Sequence, residues 1–377
     1  MNKISYEKLK EKTLIVTKTP LPGYNLTNIL QLLVQNKFIV SPRYIPRFLY
    51  TQILVSIMAP YRIKERIKFD KKIKSTEIIN EPIFIIGHWR SGTTYLHNIL
   101  ANDKGLAYFT TFQAYLPGVF LSSEKRWKPI VASSIPKKRP MDDVDMKADF
   151  PQEDQYAIGA FSKYSYYHGW CFPKKMELYN KYVLMEDVTQ NDIDNWKEVY
   201  LYLLKKITLY NNGKRLLLKN QDNTAKIKLL LEIFPNAKFI FIKRNPYDLY
   251  CSMMKFMSIV IPFYCIQKPP KIEQVEESMI NLYIRMFKKY LQERNLIPKG
   301  NLVEIKYENF IEEPLKGIKE IYDSLSLNSF NDYKEDFEKY LATQNNIKLS
   351  SYNLSEEIKE KIYDRWGFTF KEFGYEK

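Results

Sequence analysis

The chain of 377 residues is long enough for one large α/β domain or two average domains, and its 45% hydrophobic residues can form a sizeable buried core. With 58 Lys and Arg against 43 Asp and Glu, the net charge of +15 favours anionic partners such as nucleotides, nucleic acid or an acidic membrane surface. Three scattered cysteines without C-x-x-C spacing exclude a closed disulfide framework and predict reduced thiols.

Residues 1–78 are predicted to form a helical extension without a secretory signal, because no apolar run precedes a small-residue cleavage site. We therefore expect a cytoplasmic protein. The most apolar stretch, residues 48–60, has about half of the ~20 residues that a membrane span requires and ends at Pro60. It is typical of a helix packed on a core, and an amphipathic helix on the inner membrane surface is the alternative. The basic residues around it are Arg43, Arg47, Arg62, Lys64, Arg66, Lys68, Lys71 and Lys72.

Four short apolar runs, each followed by a polar turn, alternate with helical segments in the rest of the chain. Runs this apolar are typical of parallel strands that helices cover on both faces. We predict one P-loop-like α/β domain over residues 79–377, since no linker divides it. The strands are predicted at residues 82–87, 215–220, 238–244 and 301–306, and two of the helices at 224–234 and 271–295.

A long segment rich in aromatic residues, 105–210, separates the first two predicted strands. Ligands of open α/β sheets bind beyond the carboxyl ends of the strands, where insertions shape the pocket. We therefore predict a substrate lid of helices and loops. The aromatic run at residues 161–172 contains few polar side chains and favours a flat apolar acceptor, although the same rings would also suit the lid's own core.

The loop after the first strand predicts an anion site. Gly87 and Gly92 have the spacing of a phosphate-binding loop, but Thr93 stands where that pattern has Lys. The next helix is predicted to open with Thr93 and Thr94, so its free N–H groups and its dipole would face the loop. The missing Lys argues against an NTPase that transfers a phosphoryl group with Mg²⁺. Arg90 supplies a cation inside the loop instead, which suits a phosphosulfate and implies no metal.

A second strand-turn-helix segment, residues 238–254, predicts another phosphate contact. Arg244 ends the strand, Pro246 suits the first helical turn, and Ser252 lies two turns into the helix. An arginine at a strand end is often only a surface ion pair. The anion loop on a neighbouring strand is what favours a binding role for Arg244.

Together, the two segments resemble the sulfotransferase superfamily, whose sulfonate donor is 3′-phosphoadenosine 5′-phosphosulfate (PAPS). The motif "RSGTT" (90–94) is similar to the family's 5′-phosphosulfate loop, and "RNPYDLYCS" (244–252) is similar to its 3′-phosphate motif. Looser similarity in "FPQEDQYAIG", "LLLKNQDNT" and "IKYENF" extends the resemblance over roughly residues 80–370, in the bacterial-type branch with an Arg-containing loop. The resemblance implies an enzyme that binds PAPS and releases adenosine 3′,5′-bisphosphate.

The resemblance also implies roles for individual residues of the donor site. Arg90 corresponds to the basic residue that neutralises charge on the leaving phosphate oxygen. Lys219 resembles a lysine that lies near the transferring group in tyrosylprotein sulfotransferases. The implied nucleotide contacts are Ser91, Gly92, Thr93 and Thr94 in the loop, Arg244 and Ser252 at the 3′-phosphate, and Tyr307 and Lys348 elsewhere on the nucleotide.

The acceptor hydroxyl must lose its proton to a general base within hydrogen-bond reach. Cytosolic sulfotransferases use a histidine, but none of His88, His97 and His168 falls on that motif. The segment "DFPQEDQYA" (149–157) resembles an acidic motif of the bacterial-type branch, which makes Glu153 the first candidate base and Asp154 the second. A carboxylate pair also suits a solvated surface or a helix cap, so a structural role is the alternative.

The resulting hypothesis is in-line sulfonate transfer from PAPS to a small lipophilic alcohol, sterol-like rather than sugar-like. A carboxylate takes the acceptor proton, while Arg90 and Lys219 offset charge on the leaving phosphate. The alternatives are a sulfotransferase that acts on a glycan or another polar alcohol, a P-loop kinase that uses Mg²⁺ and a nucleoside triphosphate, and a nucleic-acid-binding protein without enzymatic activity. The sequence leaves the oligomeric state open.

Overall fold

The computed structural model describes residues 14–17, 23–139, 141, 144–344 and 352–377. Lys348, one of the predicted nucleotide contacts, lies outside them. The strands of the described residues are β1 (Ile83–Gly87), β2 (Leu106–Ala107), β3 (Arg215–Lys219), β4 (Lys238–Lys243) and β5 (Leu302–Lys306). They form one parallel sheet in the order β2-β3-β1-β4-β5. This topology, with helices on both faces, confirms the predicted α/β class.

The helices fall into three groups along the chain. Those of the N-terminal extension are α1 (Leu26–Gln35) and α2 (Ile45–Ser75), and α3 (Thr93–Leu100) follows β1. Between β2 and β3 lie α4 (Thr111–Tyr115), α5 (Phe120–Ser134), α6 (Asp154–Phe161), α7 (His168–Cys171), α8 (Met176–Leu184) and α9 (Gln190–Tyr210). The remaining helices are α10 (Ile227–Ile233), α11 (Pro246–Tyr264), α12 (Ile272–Glu293), α13 (Tyr307–Glu312), α14 (Pro314–Ser324), α15 (Phe330–Thr343) and α16 (Glu356–Phe373).

Side chains of β1 alternate between two cores, as expected for a strand that is covered on both faces. Ile83 and Ile85 pack into the core that includes α3, whereas Phe84 and Ile86 pack into the larger core on the other face. Each of the four predicted strands is confirmed to within one residue at either end. The edge strand β2 was not predicted, because two residues carry no periodic pattern.

The helix predicted at residues 224–234 is shorter than expected. A 3₁₀ turn occupies Gln221–Ala225, and α10 begins only at Ile227. The Thr224 hydroxyl accepts a hydrogen bond from the Gly87 N–H at 2.8 Å and donates one to the Gly87 carbonyl at 3.0 Å. The turn is therefore tied to the end of β1, where it supports the loop instead of continuing the helix.

Helix α2 is longer than the apolar stretch that predicted it, because it continues through Pro60 to Ser75. Pro60 has no N–H to donate to the preceding turn. The Arg62 guanidinium donates to the Val55 carbonyl, in the turn before Pro60, at 2.7 Å. One face of α2 packs against α5 and α9 and buries Val55 and Met58, which confirms a helix packed on the core. Among the described residues, no helix has the length and apolar composition to cross a bilayer.

The insertion at residues 105–210 folds into helices and loops, and it also supplies the edge strand β2. Its aromatic run is buried, since Tyr166, Tyr167 and Trp170 are each at most 2% exposed. The rings of Tyr167 and Trp170 stack with their centroids 4.0 Å apart. These rings form the core of the insertion, and Tyr167 and Trp170 also line a large cavity.

Candidate active site

Four neighbouring strands bring polar residues to one edge of the sheet. β3 ends at Lys219, β1 runs into the loop of Arg90, β4 ends just before Arg244, and β5 ends just before Tyr307. Because these strands are parallel and adjacent, their carboxyl ends meet at the same edge. Residues that were predicted from separate segments are thereby assembled in one place.

The loop between β1 and α3 has a backbone conformation that requires glycine. Gly87 and Gly92 have φ angles of 145° and 101°, and Arg90 has 73°, which is uncommon for a residue with a Cβ. A Cβ on Gly92 would stand 2.3 Å from the Tyr307 ring. The Ser91 hydroxyl donates to the carbonyl three residues earlier at 2.8 Å. Ser91 therefore stabilises the turn from inside, while its neighbours face the cavity.

Arg90, Ser252 and Arg244 contact one another. Arg90 Nε donates to Ser252 Oγ at 3.1 Å, and Arg244 Nη1 donates to the Arg90 carbonyl at 3.0 Å. The Arg244 guanidinium carbon lies 4.8 Å from the centroid of the Tyr307 ring. In the described part of the chain, the buried Arg244 Nε has no hydrogen-bond acceptor. The two predicted anion motifs thus form one continuous site, in which Arg244 retains a donor for a ligand.

The threonines after the loop are connected to the residues that follow β3. Thr93 Oγ1 accepts from Gln221 Nε2 at 3.1 Å, and Thr94 Oγ1 accepts from Lys219 Nζ at 3.2 Å. Arg139, from the insertion, also donates to Thr94 Oγ1 at 3.5 Å. The first backbone N–H groups of α3 have no acceptor inside the helix. An anion beside Thr93 and Thr94 would therefore meet both free N–H groups and positive charge.

Glu153 reaches the same place from the insertion. Its carboxylate accepts hydrogen bonds from Lys219 Nζ at 2.6 Å, from Gln221 Nε2 at 3.0 Å and from the Tyr167 hydroxyl. Glu153 occupies the N-cap position of α6, but its side chain does not cap that helix. The carboxylate is instead held by three donors in the cavity wall, where it can exchange a proton with a ligand.

The charges of Glu153 and Lys219 depend on each other. Burial alone would raise the pKa of Glu153, but the charge of Lys219 and the hydrogen bonds from Lys219, Tyr167 and Gln221 together lower that pKa below its ordinary value. Burial lowers the pKa of Lys219, and the carboxylate of Glu153 counteracts this. Glu153 is therefore ionised near neutral pH, as a general base must be.

A single cavity of about 1200 Å³ connects these groups. The insertion and α2 contribute apolar and aromatic side chains to its wall, whereas the sheet edge contributes cations and backbone donors. Its polar lining includes Arg90, Thr93, Thr94, Lys138, Arg139, Glu153, Gln221, Arg244, Ser252 and Lys255. The predominance of cations suits a ligand with several negative charges.

Asp154, the second candidate base, is directed away from the cavity. Its carboxylate accepts a hydrogen bond from the Tyr200 hydroxyl at 2.7 Å, close to a buried ion pair of Asp222 and Lys226 at 3.5 Å. Burial raises the pKa of Asp154 to about 7. Asp154 does not line the cavity, so the geometry favours Glu153 for contact with an acceptor.

The three histidines are also buried outside the cavity lining. His168 Nε2 donates to the Ser162 carbonyl at 2.9 Å, and burial lowers the pKa of His168 to about 4. Burial likewise lowers the pKa of His88 to about 4 and that of His97 below its ordinary value. These neutral, buried rings serve packing.

Three site residues were missed by sequence reasoning. Tyr167 belongs to an aromatic run in which nothing distinguishes it from its neighbours, so its contact with Glu153 depends on how the insertion packs. Gln221 follows Lys219 by two residues, and its position just after a strand end was a usable signal. Arg139 lies in the insertion, far in sequence from Thr94, and carried no signal.

Comparisons with known proteins agree with this geometry. A profile of the sulfotransferase family matches residues 82–332. The enzymes named omega-hydroxy-beta-dihydromenaquinone-9 sulfotransferase Stf3 from Mycobacterium bovis and Mycobacterium tuberculosis are each 30% identical to this chain over 357 residues, which cover 94% of it and 91% of theirs.

Two solved structures share the fold. Sulfotransferase STF1 from Mycobacterium tuberculosis H37Rv superposes with a TM-score of 0.63 and 16% identity, covering 90% of this chain and 91% of that one. Sulfotransferase STF9 from Mycobacterium avium superposes with a TM-score of 0.67 and 14% identity, covering 96% and 89%. Because the family profile matches well over half of the chain, including the Arg90 loop, Glu153 and Arg244, the chain belongs to the sulfotransferase family.

Proposed function

We propose that this sulfotransferase transfers the sulfonate group of PAPS to the hydroxyl of a lipophilic alcohol. One observation carries the proposal: Glu153, Arg90 and Arg244 line a single cavity, with Lys219 bonded to Glu153 at its wall. A base, cations for the leaving group and a second phosphate site are the parts that in-line sulfonate transfer from PAPS requires. Membership of the family sets aside the kinase and the nucleic-acid-binding alternatives.

The residues at the sheet edge suit PAPS. The buried Arg244 Nε without an acceptor and the Ser252 hydroxyl are proposed to hold the 3′-phosphate. The N–H groups at Thr93 and Thr94 are proposed to hold the 5′-phosphate, beside the space that Gly92 leaves by lacking a Cβ. The other proposed nucleotide contacts are Tyr307, whose ring packs on Gly92 and Arg244, and Lys348, for which the resemblance is the only support.

Glu153 is proposed as the base. When bound, PAPS supplies an electrophilic sulfur and a phosphate leaving group. The lowered pKa of Glu153 keeps its carboxylate ionised and able to accept the proton of the acceptor hydroxyl. Hydrogen bonds from Tyr167 and Gln221 fix the direction of the carboxylate, so that an acceptor in the cavity meets it in one orientation.

Lys219 couples this base to the loop. Before transfer, its charge is neutralised by Glu153, 2.6 Å away. When Glu153 takes up a proton, the carboxylate loses its charge and Lys219 becomes an uncompensated cation. Because Lys219 also donates to Thr94 Oγ1, it can then stabilise the negative charge that develops on the leaving phosphate, together with Arg90.

The rest of the cavity favours a lipophilic acceptor. Rings that line it include Trp89, Tyr115, Tyr156, Tyr167, Trp170 and Phe256, and α2 adds Leu54 and Met58. A sugar would need more polar side chains to satisfy its hydroxyls. The mycobacterial relatives are named for a hydroxylated menaquinone. A hydroxylated quinone or a sterol-like alcohol therefore suits the cavity better than a glycan does.

The proposal is tested by incubating the purified chain with isotopically labelled PAPS and a panel of acceptors. The panel contains a hydroxylated menaquinone, a sterol, a simple phenol and a glycan, and mass spectrometry detects the gain of one sulfonate. We expect sulfonation of a lipophilic alcohol, and turnover about a hundredfold or more lower in the Glu153→Gln variant. Preferential sulfonation of the glycan would overturn the proposed acceptor class. If PAPS supports transfer to no acceptor of the panel, the assignment of PAPS as the donor would be overturned.

A further inference from the structure

The two N-terminal helices expose apolar residues at regular spacing. Monomeric proteins usually expose such side chains singly, so a set on two helices that contact each other suggests a covered surface. On α2 these residues are 43–59% exposed, and on α1 they are 50–58% exposed. We call the set the N-terminal apolar surface; it consists of Leu26, Leu30 and Val34 on α1 and Ile45, Leu49, Ile53 and Ile57 on α2.

Positive charge accompanies this surface. The sequence contains no Asp or Glu from residue 12 to residue 64. Lys37 and Arg43 are exposed in the link between α1 and α2. The exposed Lys268 is held at the same link, because its backbone N–H donates to Ser41 Oγ at 2.8 Å. The second half of α2 adds exposed cations at Lys64, Arg66, Lys68, Lys71 and Lys72.

Helix α2 also forms part of the cavity wall. Tyr50 and Leu54 of α2 line the cavity. Successive residues of a helix are about 100° apart, so these two side chains lie directly beside the exposed apolar stripe of α2 that contains Ile53. From α5, Ile130 lines the cavity as well, although it is 53% exposed. The cavity therefore reaches the protein surface beside α2 and α5, next to the N-terminal apolar surface.

We propose that the N-terminal apolar surface docks on an anionic lipid bilayer, with the cavity opening toward the lipid beside α2 and α5. Apolar side chains would enter the boundary between headgroups and acyl chains, while the cations meet anionic headgroups. A second copy of the chain would bring the same cations face to face, which repulsion between like charges disfavours. Entry of the acceptor from the lipid rests on the proposed function, whereas bilayer binding itself needs neither donor nor turnover.

The test is flotation of the full chain with vesicles of phosphatidylcholine alone or mixed with phosphatidylglycerol, without donor or acceptor. We expect binding to the anionic vesicles that salt weakens. Replacing Leu49→Gln and Ile53→Gln together should lower the affinity at least about tenfold, because both side chains lose their apolar contact with lipid. The matched control replaces Ile79→Gln and Leu296→Gln, which are 81% and 53% exposed outside this surface, and should bind like the wild type.

Two further measurements separate the other outcomes. Sulfonation of an acceptor dissolved in detergent should be the same in both double variants and the wild type, so that lost vesicle binding cannot reflect misfolding. Three outcomes would each overturn the proposal. The wild type could fail to bind vesicles, both double variants could lose vesicle binding equally, or sedimentation could show a dimer that the Leu49 and Ile53 changes abolish. A wild type that binds vesicles but sulfonates no lipophilic alcohol would leave the docking surface standing and overturn the acceptor class alone.

Discussion

The cavity has two walls that are built in different ways. On the donor side, the carboxyl ends of β1 and β4 and the N-terminal halves of α3 and α11 fix Arg90, Arg244 and Ser252 through backbone geometry. On the acceptor side, Glu153 and Tyr167 come from separate segments of the insertion, and α2 comes from the N-terminal extension. The donor side therefore depends on contiguous motifs, whereas the acceptor side depends on long-range packing.

The largest effect should come from Glu153, where the two walls meet. Glu153→Gln keeps the size of the side chain and an oxygen that accepts from Lys219, but it removes the proposed base. Turnover should fall about a hundredfold or more, while the affinity for adenosine 3′,5′-bisphosphate changes less than about threefold. Sulfonate-transfer assays and isothermal titration measure the two quantities. Turnover that survives within a factor of about three would show that the proton goes elsewhere.

A change confined to the donor wall should have the opposite effect, because it should lower the affinity for the nucleotide. Arg244→Ala removes the proposed charge-assisted hydrogen bond to the 3′-phosphate. Such a bond is worth roughly 1.5–3 kcal/mol, which corresponds to about a 10- to 150-fold loss of nucleotide affinity. Lys243→Ala is the matched control, because Lys243 precedes Arg244 but pairs with Glu304 at 3.3 Å and does not line the cavity. Titration with adenosine 3′,5′-bisphosphate should distinguish the two variants, and equal affinities would exclude Arg244 from the site.

Sequence patterns predicted the donor wall because its geometry is local. The order of strand, Gly-containing turn and helix start determines where N–H groups point, so the residue pattern alone sufficed to predict that Arg90, Thr93 and Thr94 lie together at the cavity. Ser91 was assigned with them, but its hydroxyl bonds back to the loop, a detail that the pattern does not encode. The four strands were predicted for the same local reason.

The acceptor wall could be predicted only in part. Glu153 and Asp154 are adjacent carboxylates, and sequence alone could not decide which one faces the cavity. The choice depends on the start of α6 and on Lys219 and Gln221 at the end of another strand. The extension of α2 beyond Pro60 was missed because tertiary contacts override the local pattern there, whereas β2 was missed because its two residues carry no periodic pattern.

A smaller effect should come from the contact between the loop and α13. Gly92→Ala places a Cβ 2.3 Å from the Tyr307 ring at a φ of 101°. Gly213→Ala is the matched control, because Gly213 has a φ of 80° but nothing within 4 Å of its Cβ position. Both variants are strained by the positive φ, whereas only Gly92→Ala should lose a further ~1–3 kcal/mol of unfolding free energy through overpacking.

Urea unfolding and nucleotide titration of the two glycine variants decide this prediction. The nucleotide affinity of Gly92→Ala should fall about tenfold, since a displaced loop loses its donors, and that of Gly213→Ala should stay unchanged. Equal unfolding free energies for the two variants would mean that the Tyr307 ring moves aside without cost, and that the loop tolerates a wider approach than the structure has.

The smallest effect on turnover should come from Asp154, the neighbour of the proposed base. Asp154→Asn should keep turnover within about threefold of the wild type, because this carboxyl contacts Tyr200 and not the cavity. Its effect should appear instead in stability against pH. In the folded state burial raises the pKa of Asp154 to about 7, whereas the unfolded value is about 3.9.

At pH values between these two pKa values of Asp154, the folded state binds more protons than the unfolded state. Wild-type stability therefore falls as pH rises from about 4 to 7, and Asp154 contributes at most about 1.4 kcal/mol per pH unit to this fall. Asp154→Asn removes the contribution and should therefore gain stability relative to the wild type as pH rises. Burial also raises the pKa of Asp222, to about 6, so the variant keeps part of the dependence of stability on pH. Urea unfolding at pH 5 and at pH 8 measures the change. A variant with lost turnover and an unaltered slope would make Asp154 the base and move the acceptor site away from Glu153.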